Sequence, residues 1–150
     1  MKWIIVAGSG DTRKTFTLSE VVVSLVRVHG ATLLSPATLP VLHPPVAPNV
    51  YPFYVDGEYE LVWKNKKIVV KTDGDFPAAL KDGIVLAQKH SAEVLISASR
   101  ARSGSGHIAY IDSVVTSGVA DVFVVAALDH STGASPMVVA NRVNQILMLI

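Results

Sequence analysis

The first thirty residues restrict the fold of this chain more than any other stretch. Trp3-Ile4-Ile5-Val6-Ala7 is an apolar run that reads as a strand, and it passes directly into Gly8-Ser9-Gly10-Asp11-Thr12-Arg13-Lys14-Thr15. Beyond the turn, Phe16, Leu18, Val21, Val22, Leu25, Val26 and Val28 recur at helical spacing until His29-Gly30, where Gly30 suits a helix end. A strand, a glycine-rich turn and a widely apolar helix in that order predict a helix laid over a sheet. Such a turn aims free backbone N–H groups and the positive end of the helix dipole at one point, and an anion is the natural occupant.

The residue types in the turn narrow this further. A phosphate-binding loop asks for Gly, four free positions, Gly, Lys and then Ser or Thr. Here Gly8, Lys14 and Thr15 hold their places and Arg13 stands where the second Gly belongs. Gly8 and Gly10 let the loop curl with its amides inward. Together Gly8, Ser9, Gly10, Asp11, Thr12, Arg13, Lys14 and Thr15 form the candidate phosphate cradle, in which Lys14 would reach β and γ phosphates and the Thr15 hydroxyl would ligate magnesium. Arg13 either tilts the loop outward or adds a second cation.

The other half of the argument is alternation. Phe53-Tyr54-Val55, Tyr59 to Trp63 and Ile68 to Val70 are separated by the turn signals Asp56-Gly57 and Asn65-Lys66, which predicts an antiparallel meander. Pro77 suits the first turn of a helix over about 78–90, followed by a strand at 93–98, a helix at about 107–117, and a strand at 122–127. A final helix opens with Ser135 as cap and Pro136 at its first position. The expected fold is therefore α/β, a three-layer sandwich with a mainly parallel sheet plus the meander, in a single domain over 1–150. Ala31 to Pro52 is dense in proline and reads as a long surface excursion.

Composition sets the outer limits. Half the residues are apolar and 17% are charged, which excludes disorder and suggests elements buried on more than one face. A net charge of +1 argues against electrostatically driven binding of duplex nucleic acid. The absence of cysteine excludes disulfide scaffolds, thiolate metal sites and cysteine nucleophiles. No apolar run is long enough for a membrane span, and the N-terminus lacks a signal-peptide layout, so a soluble cytoplasmic protein is the expectation.

In a parallel sheet, ligands bind beyond the carboxyl ends of the strands, and the polar loops there carry the remaining candidates. Asp73 and Asp75 follow an apolar strand. Asp75 is the better placed to hold magnesium, although an Asp ahead of Phe76-Pro77 also suits a helix cap. Arg100 and Arg102 lie in a Ser-Gly-rich loop before a helix and could clamp phosphate oxygens or form a solvated basic loop. His107 is placed as a donor or a cap at that helix start, and Trp3 and Trp63 read as core or sheet-edge packing. The strand Val94-Leu95-Ile96-Ser97 ends without an acidic residue.

On Gly8 to Thr15, Gly74-Asp75, Ser97 to Arg100 and Ser103-Gly104-Ser105, the chain resembles the P-loop nucleoside triphosphate hydrolase superfamily. In size and layout it is similar to small phage and prophage-type ATP-binding proteins. The resemblance implies ATP or another purine nucleotide with magnesium, Lys14 on the phosphates, and Thr15 with Asp75 near the metal. It implies slow nucleotide hydrolysis or phosphoryl transfer to a small acceptor, with Lys14, Arg100 and Arg102 acting on the transferring group. The competing expectation is a catalytically degenerate interaction or regulatory protein, of viral kind. In that case the proline-rich segment and the apolar C-terminal helix (Met137, Val138, Val139, Val143, Ile146, Leu147, Met148, Leu149, Ile150) would form a homo-oligomer or partner surface.

Overall fold

A computed structural model describes residues 1–9, 13–46, 51–100, 106–128 and 135–150. Of the candidate residues, Gly10, Asp11, Thr12 and Arg102 lie outside the described residues, as do Ser103, Gly104 and Ser105. The apolar runs become the strands β1 (Lys2–Ala7), β5 (Val94–Ser99) and β6 (Asp121–Ala126), and the helical periodicities become α1 (Lys14–Arg27), α2 (Pro77–Lys89), α3 (His107–Thr116) and α4 (Pro136–Leu149). Between α1 and α2 the chain adds β2 (Thr32–Ser35), β3 (Glu58–Trp63) and β4 (Lys66–Lys71). The fold is α/β, with one six-stranded mixed sheet in the order β2-β3-β4-β5-β1-β6.

Strands β4, β5, β1 and β6 run parallel, while β2-β3-β4 is an antiparallel meander at one side. Parallel neighbours need a crossover, and α1, α2 and α3 supply it, which is why strand and helix alternate in the sequence. Every residue of β5 is buried, as an uncharged strand with neighbours on both edges and both faces must be. Alternate side chains of β1 divide two apolar clusters between the faces. Ile4 and Val6 pack with Leu18, Val21 and Leu25 of α1 and with Val139, Val143 and Ile146 of α4. Trp3 and Ile5 pack with Leu80 and Ile84 of α2 and with Val114 of α3. Trp3 is fully buried and donates its indole N–H to Ser97 Oγ at 2.9 Å, while the half-buried Trp63 on β3 donates to the His29 carbonyl. Both tryptophans are thus packing residues.

The meander differs from expectation in its first strand. Phe53-Tyr54-Val55 makes only an isolated bridge between Phe53 and His43, and the outer strand is Thr32-Leu33-Leu34-Ser35, inside the proline-rich segment. Only Pro36 onward is proline-dense, so four residues remain to pair with β3 before the chain turns away. Tyr54 is used differently. Its hydroxyl donates to Glu20 Oε1 at 2.7 Å and its ring tilts against Phe16, which straps the segment to α1. The β3–β4 turn is built on Lys64 and Asn65, both at positive φ, one residue earlier than the sequence suggests. The apolar side of α4 is turned inward: Val139, Val143, Ile146 and Leu147 are buried, leaving Met137 and Met148 outside. The broad α4 surface expected for oligomer contacts is therefore mostly spent on the core. Among the described residues, no helix is long and apolar enough to cross a membrane.

Candidate functional site

The carboxyl ends of the neighbouring strands β4, β5 and β1 meet at one end of the sheet, and hydrogen bonds tie their exits together. Gly8 N–H donates to the Ser99 carbonyl at 3.0 Å, and Arg100 N–H donates to the Gly74 carbonyl at 3.2 Å. Between these exits lies a cleft of about 240 Å³. Among the described residues its walls carry three cations, Arg13, Lys14 and Arg100, and three carboxylates, Asp56, Asp73 and Asp75.

Lys14 is the first residue of α1 and is buried. Its ammonium group donates to the carbonyls of Ser9 and Gly8, the residues that leave β1. A buried ammonium group needs such partners, because desolvation without them is costly. Thr15, next on the helix, donates from Oγ1 to Asp56 Oδ1 at 2.6 Å and approaches the Thr72 carbonyl at 3.4 Å. Thr72, just past β4, reinforces the arrangement: it donates to Asp56 Oδ1 and accepts from Gly57 N–H at 2.8 Å. The acid beside Thr15 is thus Asp56, a residue that reads in the sequence only as half of an Asp-Gly turn. Its role depends on the excursion returning over α1, and no local pattern encodes that return.

Asp75, expected near the metal with Thr15, lines the same cleft but is engaged by Arg100, Nε to Oδ1 at 2.9 Å. It does not cap α2. The capping position is Phe76, with no side-chain cap bond, and Pro77 occupies the first turn as expected. Asp73 pairs with Lys71 at 2.7 Å, and Glu58 pairs with the same lysine at 2.7 Å. Burial alone would lower the Lys71 pKa; hydrogen bonds and charge from Asp73 and Glu58 outweigh it and raise the value. His107 is buried rather than a surface cap, with Nε2 3.1 Å from the Gly74 carbonyl. Gly74 is therefore held from two sides, and it lies so close to β5 that a Cβ there would sit 2.2 Å from the Ala98 carbonyl oxygen.

Arg13 is the residue that immediately precedes α1. Its backbone has φ 53 and ψ 35, the left-handed conformation that a Gly would adopt without cost. The guanidinium group lies over the Phe16 ring, 3.9 Å from its centroid, with Tyr51 beyond at 5.6 Å. Burial lowers its pKa, opposed by the charges of Tyr51 and Glu20. Arg13 also borders a second, larger cavity of about 530 Å³ between α1 and α4, walled mainly by Phe16, Val23, Tyr51, Val139 and Val143. Among the described residues it is the one common to both spaces.

Among the described residues, no group of three or more carboxylate, imidazole or thiol side chains gathers as a metal cluster would. The Thr15 hydroxyl, the Asp56 carboxylate and the Thr72 carbonyl are nonetheless all oxygen donors, the type a hard divalent cation selects. Compared with protein-family models, with curated proteins and with solved structures, the chain finds no match.

Proposed function

We propose that the cleft binds a nucleotide polyphosphate with magnesium, in a three-layer fold of P-loop type, and that the protein performs slow hydrolysis of the nucleotide or transfers its phosphoryl group to a small acceptor. One observation carries the reading: a buried lysine on the first turn of α1, bonded to the Gly8 and Ser9 carbonyls at the exit of β1, stands next to a threonine hydroxyl bonded to a carboxylate. Those are the parts that a phosphate chain and its cation require, at the helix terminus that favours an anion. The presence of both cations and carboxylates among the described cleft residues supports the same reading, since a bare anion would not want the carboxylates and a bare cation would not want Lys14 and Arg100.

In this reading Lys14 contacts the phosphate oxygens, and Thr15 with Asp56 holds the magnesium, which neutralises phosphate charge when bound. Asp56 replaces Asp75 as the principal acidic partner of Thr15. Asp75 instead orients the Arg100 guanidinium group across the cleft, where it can meet a transferring phosphoryl group. Magnesium held by few protein groups and by phosphates needs no cluster of acidic side chains.

Nucleotide-dependent thermal shift, with and without magnesium, tests the proposal in the natural chain, Lys14→Ala and Asp56→Asn. A ligand at a hundred times its Kd stabilises by about 2.7 kcal/mol, worth roughly 5–10 °C for a chain of this size. Lys14→Ala should abolish the shift, and Asp56→Asn should abolish its magnesium-dependent part. An unchanged melting temperature at millimolar Mg-nucleotide refutes the reading and leaves the interaction-protein alternative standing.

A further inference from the structure

The two edges of the sheet are built differently. At one edge, β2 has four residues, its pairing with β3 shifts between Leu33 and Ser35, and Pro36 follows at once. Shortness, an irregular register and a proline are the usual means by which a sheet edge is closed to further pairing. At the other edge, β6 has none of them. Asp121-Val122-Phe123-Val124-Val125-Ala126 pairs with β1 in unbroken register, contains no proline or lysine, and leaves Phe123 and Val124 exposed, the latter by 62%.

The backbone of β6 also states what it can accept. Asp121 N–H bonds to the Met1 carbonyl and Ala127 N–H to the Ala7 carbonyl, so the odd-numbered residues turn their amides toward β1. By the alternation of a strand, Val122, Val124 and Ala126 turn their N–H and C=O groups outward at the edge of the sheet. We propose that this edge pairs with the same edge of a second copy of the chain, antiparallel, about a two-fold axis at Val124, so that one continuous sheet crosses the dimer. The proposal is independent of the nucleotide reading.

The register follows from that axis. Val124 meets its own counterpart, Val122 meets Ala126, and each pair exchanges backbone hydrogen bonds in both directions. On the face carrying α1 and α4, Phe123 lies opposite Val125, an aromatic against a β-branched side chain, a favourable cross-strand pair. The one charge of the strand, Asp121, falls opposite Ala127, so the two aspartates stand at opposite ends and do not repel. An isologous contact of this kind closes on itself and does not propagate.

Because the chain has no cysteine, single substitutions report the register directly. Hydrogen-bonded antiparallel partners have Cα atoms about 5.5 Å apart, inside the roughly 4.4–6.8 Å that a disulfide spans. Val124→Cys should therefore cross-link to a covalent dimer under mild oxidation. Val122→Cys should not, because its counterpart lies about four residues, or about 13 Å, along the strand, whereas a mixture of Val122→Cys and Ala126→Cys should. Sedimentation velocity should find the natural chain dimeric at micromolar concentration and Val124→Pro monomeric with an unchanged circular dichroism spectrum, since the Val124 amide is not bonded to β1. A monomeric natural chain overturns the proposal, whether the edge then stays bare or serves another protein's strand. So does efficient cross-linking of Val122→Cys alone, or a dimer that survives Val124→Pro.

Discussion

Gly74→Ala tests whether the cleft is held as rigidly as its contacts imply. The added methyl group would stand 2.2 Å from the Ala98 carbonyl oxygen and 2.4 Å from its carbon. Ala98 belongs to β5, which is buried and paired on both edges, so the 73–75 loop has to move. A carbon and a carbonyl oxygen settle at about 3.3 Å, so the loop must lift by about 1 Å. That displacement stretches the Arg100 amide bond at 3.2 Å and the His107 contact at 3.1 Å beyond useful length. Two hydrogen bonds at about 0.5–1.5 kcal/mol each give a loss of roughly 1–3 kcal/mol. Urea denaturation followed by circular dichroism measures it. Gly83→Ala in α2 is the control, because its new methyl group meets nothing closer than 3.4 Å and lies in a helix where Ala is favoured by about 1 kcal/mol. If Gly74→Ala unfolds within about 0.5 kcal/mol of the natural chain, the loop yields freely and the argument for a preformed cleft fails.

Three further predictions concern Arg13 and Lys71. Arg13→Gly should be more stable than Arg13→Ala by about 1 kcal/mol, because both lose the stacking on Phe16 and only Gly relieves the left-handed backbone; equal stability in thermal denaturation would refute this. At Lys71 the buried member of the triad is the cation, while Glu58 and Asp73 reach solvent. Glu58→Gln combined with Asp73→Asn should cost about 1–3 kcal/mol, and Lys71→Met less than about 1 kcal/mol; the reverse order in urea midpoints would refute the assignment. The pH dependence has a definite sign. The Lys71 pKa is raised above its ordinary 10.5, so the stabilisation is complete below that value and is lost as pH rises through the folded pKa. The fall in stability above pH 10.5 should therefore be shallower in Lys71→Met, and an identical slope would show that the lysine is not the group responsible.

The sequence was most legible where local periodicity and tertiary placement agree. Strands β1, β5 and β6 and all four helices follow from apolar runs, helical spacing and the prolines at 77 and 136, because each is buried in the way its own pattern demands. The outer strand of the meander was not legible. Thr32 to Ser35 has no strong alternation, and it is a strand because the free edge of β3 is available to it. The site divides along the same line. Lys14 and Thr15 could be placed from spacing alone, since both lie on the first turn of α1. Asp56 could not, because its contact with Thr15 crosses 41 positions of sequence and depends on how the proline-rich excursion returns. Asp75 and Arg100 were each singled out for a ligand, yet the fold gives them to each other first, a pairing that residue type permits and only the meeting of β4 and β5 decides.

The position of β1 in the sheet has a consequence for how the molecule forms. Lys2 is paired with Val94 on one side and with Asp121 on the other, so the strand that leads into the Lys14 loop finds neither neighbour until most of the chain is present. Pairings of such sequence separation carry a large loop-closure cost and slow the search for the native state. Helix α1 and the β3–β4 hairpin can organise early from local contacts. The cleft at the head of α1 can be complete only when β5 has closed on β1, and in newly made chains its assembly should lag behind helix formation.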